Sequence, residues 1–598
     1  MKVLKFGGSS VANPDSLSLV IDIIQKSDQD QLIVVSALSG ITDLLSIMAE
    51  RASKSEKNYK EYLITVEERH KILIDYFIPV TNHGEIKSFL KTQINELEEF
   101  LESLYTLNEL TSKTNSKILS FGEILSSNII FKILKQKGCD IIFKDTRELI
   151  FKKNINGREV VDNSLSEKKT VSFLNKNKNK IILLPGFIAS DNEGNTLTLG
   201  RGGSDLTASL LANYSNARKL EIWSDVSGMF TANPKLVSQA LPIRKLSYHE
   251  AMELSHFGAK VIYPPTLQPL VKKNIPVIIK NTFEPSAKGT KIDKKGSKKV
   301  DWHVVKGVSH IENVALLNIE GSGMIGIPGF SRRLFQTLSD KQINIIMITQ
   351  ASSEHSICIG VKMQDADQAK KIIDENFAFE ISLQRVEPAK IERDLTNIAI
   401  VGDKMKEHQG ISGKLFSSLG ANNINIRAIA QGASERNISI LIDKKNTQKA
   451  LNTIHESFFE EQIKELNLFV TGVGNVGGKL LEQILGQQDY LLKNLRLKIR
   501  VISISNSRRM ILSKSPIKLE MWKDELEKTG IKADRKKFFN HVKKLNLRNS
   551  IFIDNTASEE IADEYVSYLK NSIGVVTCNK IACASNLNNY NNIKKTAR

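Results

Sequence analysis

The chain has 598 residues, 41% hydrophobic and 25% charged, with a formal net charge of +18. That length exceeds a single core and calls for roughly three to five domains, while no apolar run approaches the roughly 20 residues that span a bilayer and Met1–Gly8 carries no signal-peptide core. The positive charge would suit a nucleic acid, but the lysines are spread along the whole chain without an RNP, zinc-finger or helix-turn-helix signature, so neither nucleic acid nor membrane is expected as a partner.

Met1–Phe6 reads as a short apolar strand, Gly7–Ser10 as a glycine turn and Leu17–Gln25 as a helix. Strand, glycine turn and helix form a phosphate-cradling arrangement, and Lys5 is placed to neutralise oxygens. No GK[ST] closes the turn, so it is not a Walker A loop. Gln31–Ser36 reads as a buried parallel-type strand, and Ala37–Asp43 opens another helix. Strands alternating with helices argue for a parallel sheet with crossover helices. Ligands in such sheets collect at the carboxyl ends of the strands, where Lys5–Ser10, Ser36–Thr42 and Pro185–Ser190 all fall. Residues 55–115 are charged with a helical period, the pattern of a helical hairpin insertion. Ser120–Ser126 is expected to start a helix, with Glu123 either a helix-surface acid or a partner for a substrate amine.

Thr198–Asp205 is a polar, glycine-rich turn running into the amphipathic stretch Leu206–Ala212. Gly200, Gly202 and Gly203 permit backbone angles and approaches that a Cβ forbids. A helix start of this kind offers unpaired N–H groups to an anion, Arg201 adds a fork for carboxylate or phosphate, and Asp205 places an acid beside them. Alone, the pattern reads equally well as an ordinary capped loop. Glu221–Phe230 is a strand and turn with Asp225 at its end. In Phe257–Pro265, Lys260 precedes a buried run and is either a nucleotide contact or a surface lysine.

In order, Lys5–Ser10, Val35–Thr42, Phe121–Glu123, Gly186–Ile188, Leu199–Asp205, Trp223–Gly228 and Phe257–Val261 resemble the signatures of the aspartate kinase family. The match runs to about residue 290, and it implies the amino-acid kinase fold for residues 1–300. By that resemblance Lys5, Gly7, Gly8 and Ser9 hold the ATP phosphates, and Lys5 stabilises the transferring phosphoryl. Thr42, Glu123 and Arg201 hold L-aspartate, and Asp205 organises Lys5 and the glycine loop. Ser224, Asp225, Phe230, Lys235, Lys260 and Val261 line the nucleotide site. A β-carboxylate is already a nucleophile at neutral pH, so positioning and charge neutralisation, with Mg²⁺ across the phosphates, suffice for catalysis; no metal held by the protein itself is expected. Ser9 and Ser224 stand where threonine is common, Phe230 where tyrosine is common, and Asn233 and Lys235 where Asp and Arg are common. Those departures bear on nucleotide affinity rather than on reaction type.

The middle of the chain repeats itself. Gly321, Met324, Gly329, Leu334 and Phe335 align with Gly402, Met405, Gly410, Leu415 and Phe416, and Ile343–Gln350 aligns with Ile424–Gln431, always at an offset of 81 (402 − 321 = 81). Each copy reads strand, glycine turn, helix, strand, strand, helix, strand. This resembles paired ACT (βαββαβ) regulatory domains over residues 308–462. It implies an amino-acid effector, expected to be threonine with lysine as the alternative, at Asn344 and Gln350 and at Asn425 and Gln431. Ordinary strand-edge hydrogen bonding is the other reading of these side chains. ACT pairing also implies a homodimer or tetramer.

Leu466–Val470 is an apolar strand, Thr471–Gly478 carries the GxGxxG glycines Gly472, Gly474 and Gly477, and Lys479–Leu485 is helical. The second strand, Lys498–Ser505, ends in Asn506-Ser-Arg-Arg509 with no acid in the ribose position. Arg508 there favours a 2′-phosphate, unless it is an ordinary surface arginine. With the further strand-then-polar blocks Asn549–Ser558 and Ser572–Ala582, residues 465–598 resemble the NADP-binding half of homoserine dehydrogenase. The whole order is similar to the bifunctional aspartokinase/homoserine dehydrogenase family. By resemblance, Gly472, Val473, Gly474, Asn475, Val476, Gly477, Arg508, Ser558 and Lys580 contact NADP(H), with Lys580 near the reacting carbon. The family continues into a substrate domain, so the expectation here is a truncated Rossmann module without dehydrogenase activity of its own. Four cysteines without CxxC spacing fit a reducing compartment, the cytoplasm. The expected activity is aspartate kinase; the rival is an inactive sensor of amino acids and nucleotides, against which Lys5, Glu123, Arg201 and Asp205 argue.

Overall fold

Lys2–Phe6 and Gln31–Val35 are buried at every position and Ile181–Pro185 at all but the first, the pattern of strands covered on both faces. The computed structural model describes residues 1–26, 30–257, 261–296, 304–324, 329–350, 355–432, 436–459, 464–584 and 586–597. The chain divides into two units: residues 1–231 with 241–302, and residues 232–240 with 303–598.

In the first unit those strands centre an eight-stranded sheet. Its order is Lys245–Leu246, Thr290–Ile292, Val277–Asn281, Leu220–Ser224, Lys2–Phe6, Gln31–Val35, Ile181–Pro185, Ile141–Phe143. Pairing is parallel except between Thr290–Ile292 and Val277–Asn281. The carboxyl ends of the five central strands therefore open on one rim, where ligands of such sheets collect. The turn at Gly7 tightens into a short 3₁₀ segment, Gly8–Val11, before the helix Pro14–Gln25, whose first turn is capped by Asn13.

The insertion is a hairpin of helices Tyr59–Phe77 and His83–Leu107. Leu63, Val66, Leu73 and Phe77 face Ile86, Leu90, Ile94, Leu97 and Leu101 in one core at helical spacing. The helix expected to start at Ser120 starts at Ser112, where Thr111 Oγ1 accepts the Thr114 N–H at 3.1 Å. Glu123 thus sits in the interior of a helix running to Gln136 rather than at its mouth.

In the second unit the repeats share one six-stranded antiparallel sheet, ordered Ile345–Gln350, Ser356–Lys362, Gly307–Glu320, Lys390–Val401, Asn437–Asp443, Ile426–Gln431. Asn313 and Asp394, again 81 apart (394 − 313 = 81), take left-handed angles of +58° and +54° inside the two longest strands. The register shifts beside Asn313. Gly307–Ile311 then pairs with the part of Lys390–Val401 that belongs to the second copy, and Val314–Asn318 with the part that closes the first. The closing strand of the second copy was expected downstream of its last helix. It is supplied instead by Gly307–Ile311, and the chain after helix Thr447–Phe459 enters a different sheet. Helices cover one face of each copy, bringing Leu334 into one core with Leu317 and Ile359 in the first and Leu415 with Ile398 and Ile440 in the second. Residues 232–240 add Ala232 and Val237 to the second core.

The third sheet is ordered Ile531–Lys532, Arg509–Leu512, Leu497–Ser505, Lys464–Thr471, Ser550–Asp554, Gly574–Thr577. Its last four strands are parallel, as a dinucleotide fold requires, and the other two add an antiparallel edge. Arg548 is buried where this domain meets the repeat pair. It is compensated by Glu456 at 2.9 Å, Glu465 at 3.7 Å and the Asn452 carbonyl at 2.7 Å. A charge at that depth needs such partners.

Candidate active site

Lys5, at the carboxyl end of the first strand, holds its Nζ 2.6 Å from Asp205 Oδ1, with both side chains largely buried. Asp205 lies in the first turn of helix Gly203–Tyr214. The turn before that helix needs left-handed angles at Gly200 (+71°) and Gly202 (+68°). A Cβ on Gly203 would fall 2.6 Å from the Phe187 ring, and one on Gly186 2.6 Å from Ser204 Cβ. The glycine turn and the loop after Ile181–Pro185 therefore interlock. On the other side a Cβ on Gly8 would meet the Ala37 carbonyl at 2.9 Å, and the Ser39 N–H donates to the Gly8 carbonyl at 3.1 Å. Gly7 N–H donates to the Trp223 carbonyl at 3.0 Å. The ends of strands Lys2–Phe6, Gln31–Val35, Ile181–Pro185 and Leu220–Ser224 thus meet around Lys5.

Gly122 lets the Ser112–Gln136 helix approach the loop after Gln31–Val35; a Cβ there would sit 2.9 Å from Ala37 Cβ. Ser126 Oγ donates to the Ser36 carbonyl at 2.9 Å and fixes that contact. Glu123 is only 3% exposed, and its Oε2 has no hydrogen-bond partner. Burial pushes its carboxyl up to about 8, against the Ala37 and Glu123 backbone N–H groups and the charge of Lys5. A buried acid with a free oxygen suits the ammonium of an amino acid. Thr42 opens helix Ile41–Ala52, whose cap is Gly40 at +79°. Arg201 is exposed, with its guanidinium carbon 5.9 Å from the Tyr263 ring centre.

Ser9 lies in the 3₁₀ segment after Lys2–Phe6, half-buried. Ser224 ends strand Leu220–Ser224, its buried Oγ without a partner, and Asp225 beyond it is exposed. Phe230 lines a cavity of about 490 Å³ with Ser227, Pro242, Arg244, Glu284 and Lys288. Asn281 Nδ2 donates to Ser227 Oγ at 2.9 Å, and Ser227 Oγ donates to Glu284 Oε2 at 2.9 Å. The sequence reading missed Ser227 and Glu284; their one signal is that they follow the carboxyl ends of neighbouring strands. Val261 is half-buried, and Lys260 lies outside the described residues. Lys235, exposed like its neighbour Pro234, belongs with residues 232–240 to the second unit rather than to the kinase sheet.

In the repeats, Gln431 ends its strand against a cavity of about 100 Å³ lined also by Met405, His408, Ile411 and Ser412, and Ser412 Oγ donates to Gln431 Oε1 at 3.3 Å. Asn425 precedes the other end of that strand, roughly 20 Å away at strand rise, so it and Gln431 do not line one cavity of one copy. Gln350 and Asn344 are exposed at the two ends of the equivalent strand. In the third sheet Gly472 takes +87° and packs on Asn555 and Thr556, and Gly477 packs on the Gly472 carbonyl. Nothing lies within 4 Å of a Cβ placed on Gly474, and Gly474, Asn475 and Val476 are exposed at the start of helix Asn475–Asn494, while Val473 is buried beneath them. That open cradle of helix N–H groups fits a pyrophosphate. Arg508 and Lys580 are exposed and Ser558 is half-buried, on loops at the same carboxyl rim.

The Amino acid kinase family profile matches residues 1–281, the ACT domain profile residues 317–377 and 398–458, and the Homoserine dehydrogenase, NAD binding domain profile residues 472–598. A bifunctional aspartokinase/homoserine dehydrogenase of Haemophilus influenzae is 36% identical over 603 residues, covering 100% of this chain and 73% of that protein. The chain belongs to the bifunctional aspartokinase/homoserine dehydrogenase family. The chloroplastic bifunctional aspartokinase/homoserine dehydrogenase 1 of Arabidopsis thaliana is 35% identical, with 100% of this chain and 66% of that protein covered. The crystal structure of E. coli aspartokinase III in complex with aspartate and ADP superposes with a TM-score of 0.67 at 27% identity, covering 77% of this chain and 100% of that one. The enzyme is thus an aspartate kinase of amino-acid kinase fold with two ACT domains and a homoserine dehydrogenase NAD-binding domain.

Proposed function

We propose that the chain transfers the γ-phosphoryl of ATP to the β-carboxylate of L-aspartate, giving 4-phospho-L-aspartate and ADP. The buried Lys5–Asp205 pair beside Glu123 carries this reading. Asp205 fixes Lys5 at the strand end, so its Nζ meets the developing charge on the transferring oxygens without reorganisation. Gly7, Gly8 and Ser9 supply backbone approach to the phosphates, and Mg²⁺ arrives on the nucleotide. Glu123 takes the aspartate ammonium, while Arg201 and Thr42 take its carboxylates. The cavity beside Phe230 is wide enough for a nucleoside, with Ser224, Asp225 and Val261 as proposed further contacts.

Domain borders are placed at residues 1–300, 308–462 and 465–598. Threonine is the proposed effector: a cavity of about 100 Å³ with a hydroxyl and an amide on its wall suits a small polar amino acid better than a long cation. An effector shifts activity only by its differential affinity for two arrangements of the enzyme. The outer strands of the ACT sheet expose Ile348 and Ile429, apolar surface that suits a second copy in a homo-oligomer. The C-terminal domain is proposed to hold NADP(H) at Gly474–Val476 with Arg508 on the 2′-phosphate. The cytoplasm is the proposed compartment, matching four free cysteines.

The test is ATP- and aspartate-dependent hydroxamate formation in hydroxylamine, with and without threonine or lysine. Product that falls with threonine supports kinase and sensor together. Product that falls only with lysine replaces the effector, and no product from folded chain removes the kinase reading.

A further inference from the structure

The turn that presents Arg201 is braced from outside its own helix. Tyr263 precedes the 3₁₀ segment Pro264–Leu267, and its carbonyl accepts both the Thr266 N–H at 3.0 Å and the Thr266 hydroxyl at 2.5 Å. Two prolines and this double acceptor fix the Tyr263 backbone. Its side chain lies directly on the glycine turn: a Cβ on Gly202 would come within 2.6 Å of Tyr263 Cβ and 3.0 Å of its ring carbons. The ring then continues under the next residue back, with the Arg201 guanidinium carbon 5.9 Å from its centre. Tyr263 is 37% exposed, so the ring is a platform at the edge of the site rather than part of the core.

A long arginine on a glycine-rich turn has many rotamers, and a fork that grips a carboxylate gains by being held in one of them before the ligand arrives. An aromatic face supplies that restraint without competing for the guanidinium N–H donors, because the attraction runs through the π cloud. We infer that Tyr263 is a positioning residue for aspartate: its ring holds Arg201 in the orientation that receives the substrate carboxylate, while its bulk against Gly202 keeps the turn from closing over the fork. Neither contact involves the phenolic oxygen. The inference rests on the aspartate-kinase reading of Arg201.

The experiment is steady-state kinetics of the full chain with Tyr263→Phe, Tyr263→Leu, Tyr263→Ala, Arg201→Ala and the double variant Arg201→Ala/Tyr263→Ala. Tyr263→Ala and Tyr263→Leu are expected to raise KM for aspartate about fivefold, with kcat and KM for ATP within about twofold, and Tyr263→Phe to match the parent. In the Arg201→Ala background, the loss of Tyr263 is expected to add less than about twofold, since the two act as one unit. An unchanged KM in Tyr263→Ala, full retention by Tyr263→Leu, or a fall in kcat as large as the rise in KM would overturn the role. If Arg201→Ala raises KM while Tyr263→Ala does not, the positioning role alone falls. If Arg201→Ala leaves KM unchanged, the aspartate reading of Arg201 falls with it.

Discussion

Two of the glycine turns that follow apolar strands in this molecule are proposed to serve opposite tasks. At the N-terminal turn, glycine makes room for protein: Gly8, Gly186 and Gly203 let loops and helix close on one another until Lys5 and Asp205 are held at 2.6 Å and nearly dry. At the C-terminal turn, glycine leaves room for something else: Gly474 faces open space at an exposed helix start. Phosphoryl transfer needs fixed charges in a desolvated pocket, whereas a dinucleotide needs backbone donors and an unobstructed approach. If both turns hold phosphates as proposed, glycine spacing marks the site, and what the missing Cβ atoms would have touched distinguishes the two jobs.

The sharpest way to break the contrast is to remove the charge. Lys5→Ala is expected to lower kcat about 10³-fold and Asp205→Asn about 10²-fold, while dinucleotide binding at the other turn stays unchanged. Hydroxamate formation and cofactor fluorescence on the same preparations separate the two. A comparable loss of cofactor binding would show that the sites are not independent.

Glu123 provides the next effect, through pH. Its carboxyl is pushed up to about 8 by burial, so the empty site holds it protonated at neutral pH. An ammonium needs the ionised form. KM for aspartate should therefore fall about tenfold per unit as pH rises toward 8 and level off above it; Glu123→Gln should flatten that slope. Stability runs the other way. The folded state keeps a proton that the unfolded chain releases near 4.5, so this group's contribution is lost as pH rises from there through 8. Glu123→Gln should raise Tm at pH 8 and leave it unchanged near pH 4, by calorimetry of the ligand-free chain.

What could be read before the structure follows from locality. Lys5, Arg201 and Asp205 stand in short blocks whose glycines already dictate a turn and a helix start, and the offset of 81 announces two copies of one unit. Glu123 was named as a residue but misplaced in its helix, because the cap at Thr111 lies upstream of the motif. The exchange of closing strands was invisible: Gly307–Ile311 finds its partner some ninety residues on, and only the matched left-handed residues Asn313 and Asp394 hint at the bend that permits it. Tyr263 and Glu284 acquire meaning only from tertiary contact, since neither stands in a glycine pattern.

Between charge and space lies Arg508, a cation proposed with Lys580 for the open turn. Arg508→Ala is expected to reduce the preference for NADPH over NADH about tenfold, by weakening the phosphorylated cofactor and leaving the other nearly unaffected. Equal weakening of both would reduce Arg508 to a general surface charge.

The smallest effect tests the role of empty space itself. Gly474 has φ −83° with ψ −140°, off the extended basin, but a Cβ there meets nothing within 4 Å. Gly472 has φ +87°, and its Cβ would press on Thr556 Cγ2 at 2.7 Å and on the Asn555 carbonyl carbon at 2.8 Å. Gly474→Ala should therefore lower Tm less than Gly472→Ala, through backbone strain without crowding, and weaken dinucleotide binding only several-fold. Gly472→Ala should cost about 1–3 kcal/mol of stability through backbone strain and crowding. Thermal unfolding beside a cofactor titration reads both quantities. If Gly474→Ala lowers Tm as much as Gly472→Ala, the space above that turn is part of the fold's own packing. If Gly472→Ala binds cofactor as the parent does at unchanged Tm, the turn tolerates a Cβ where the geometry forbids one, and the distinction between the two turns loses its physical basis.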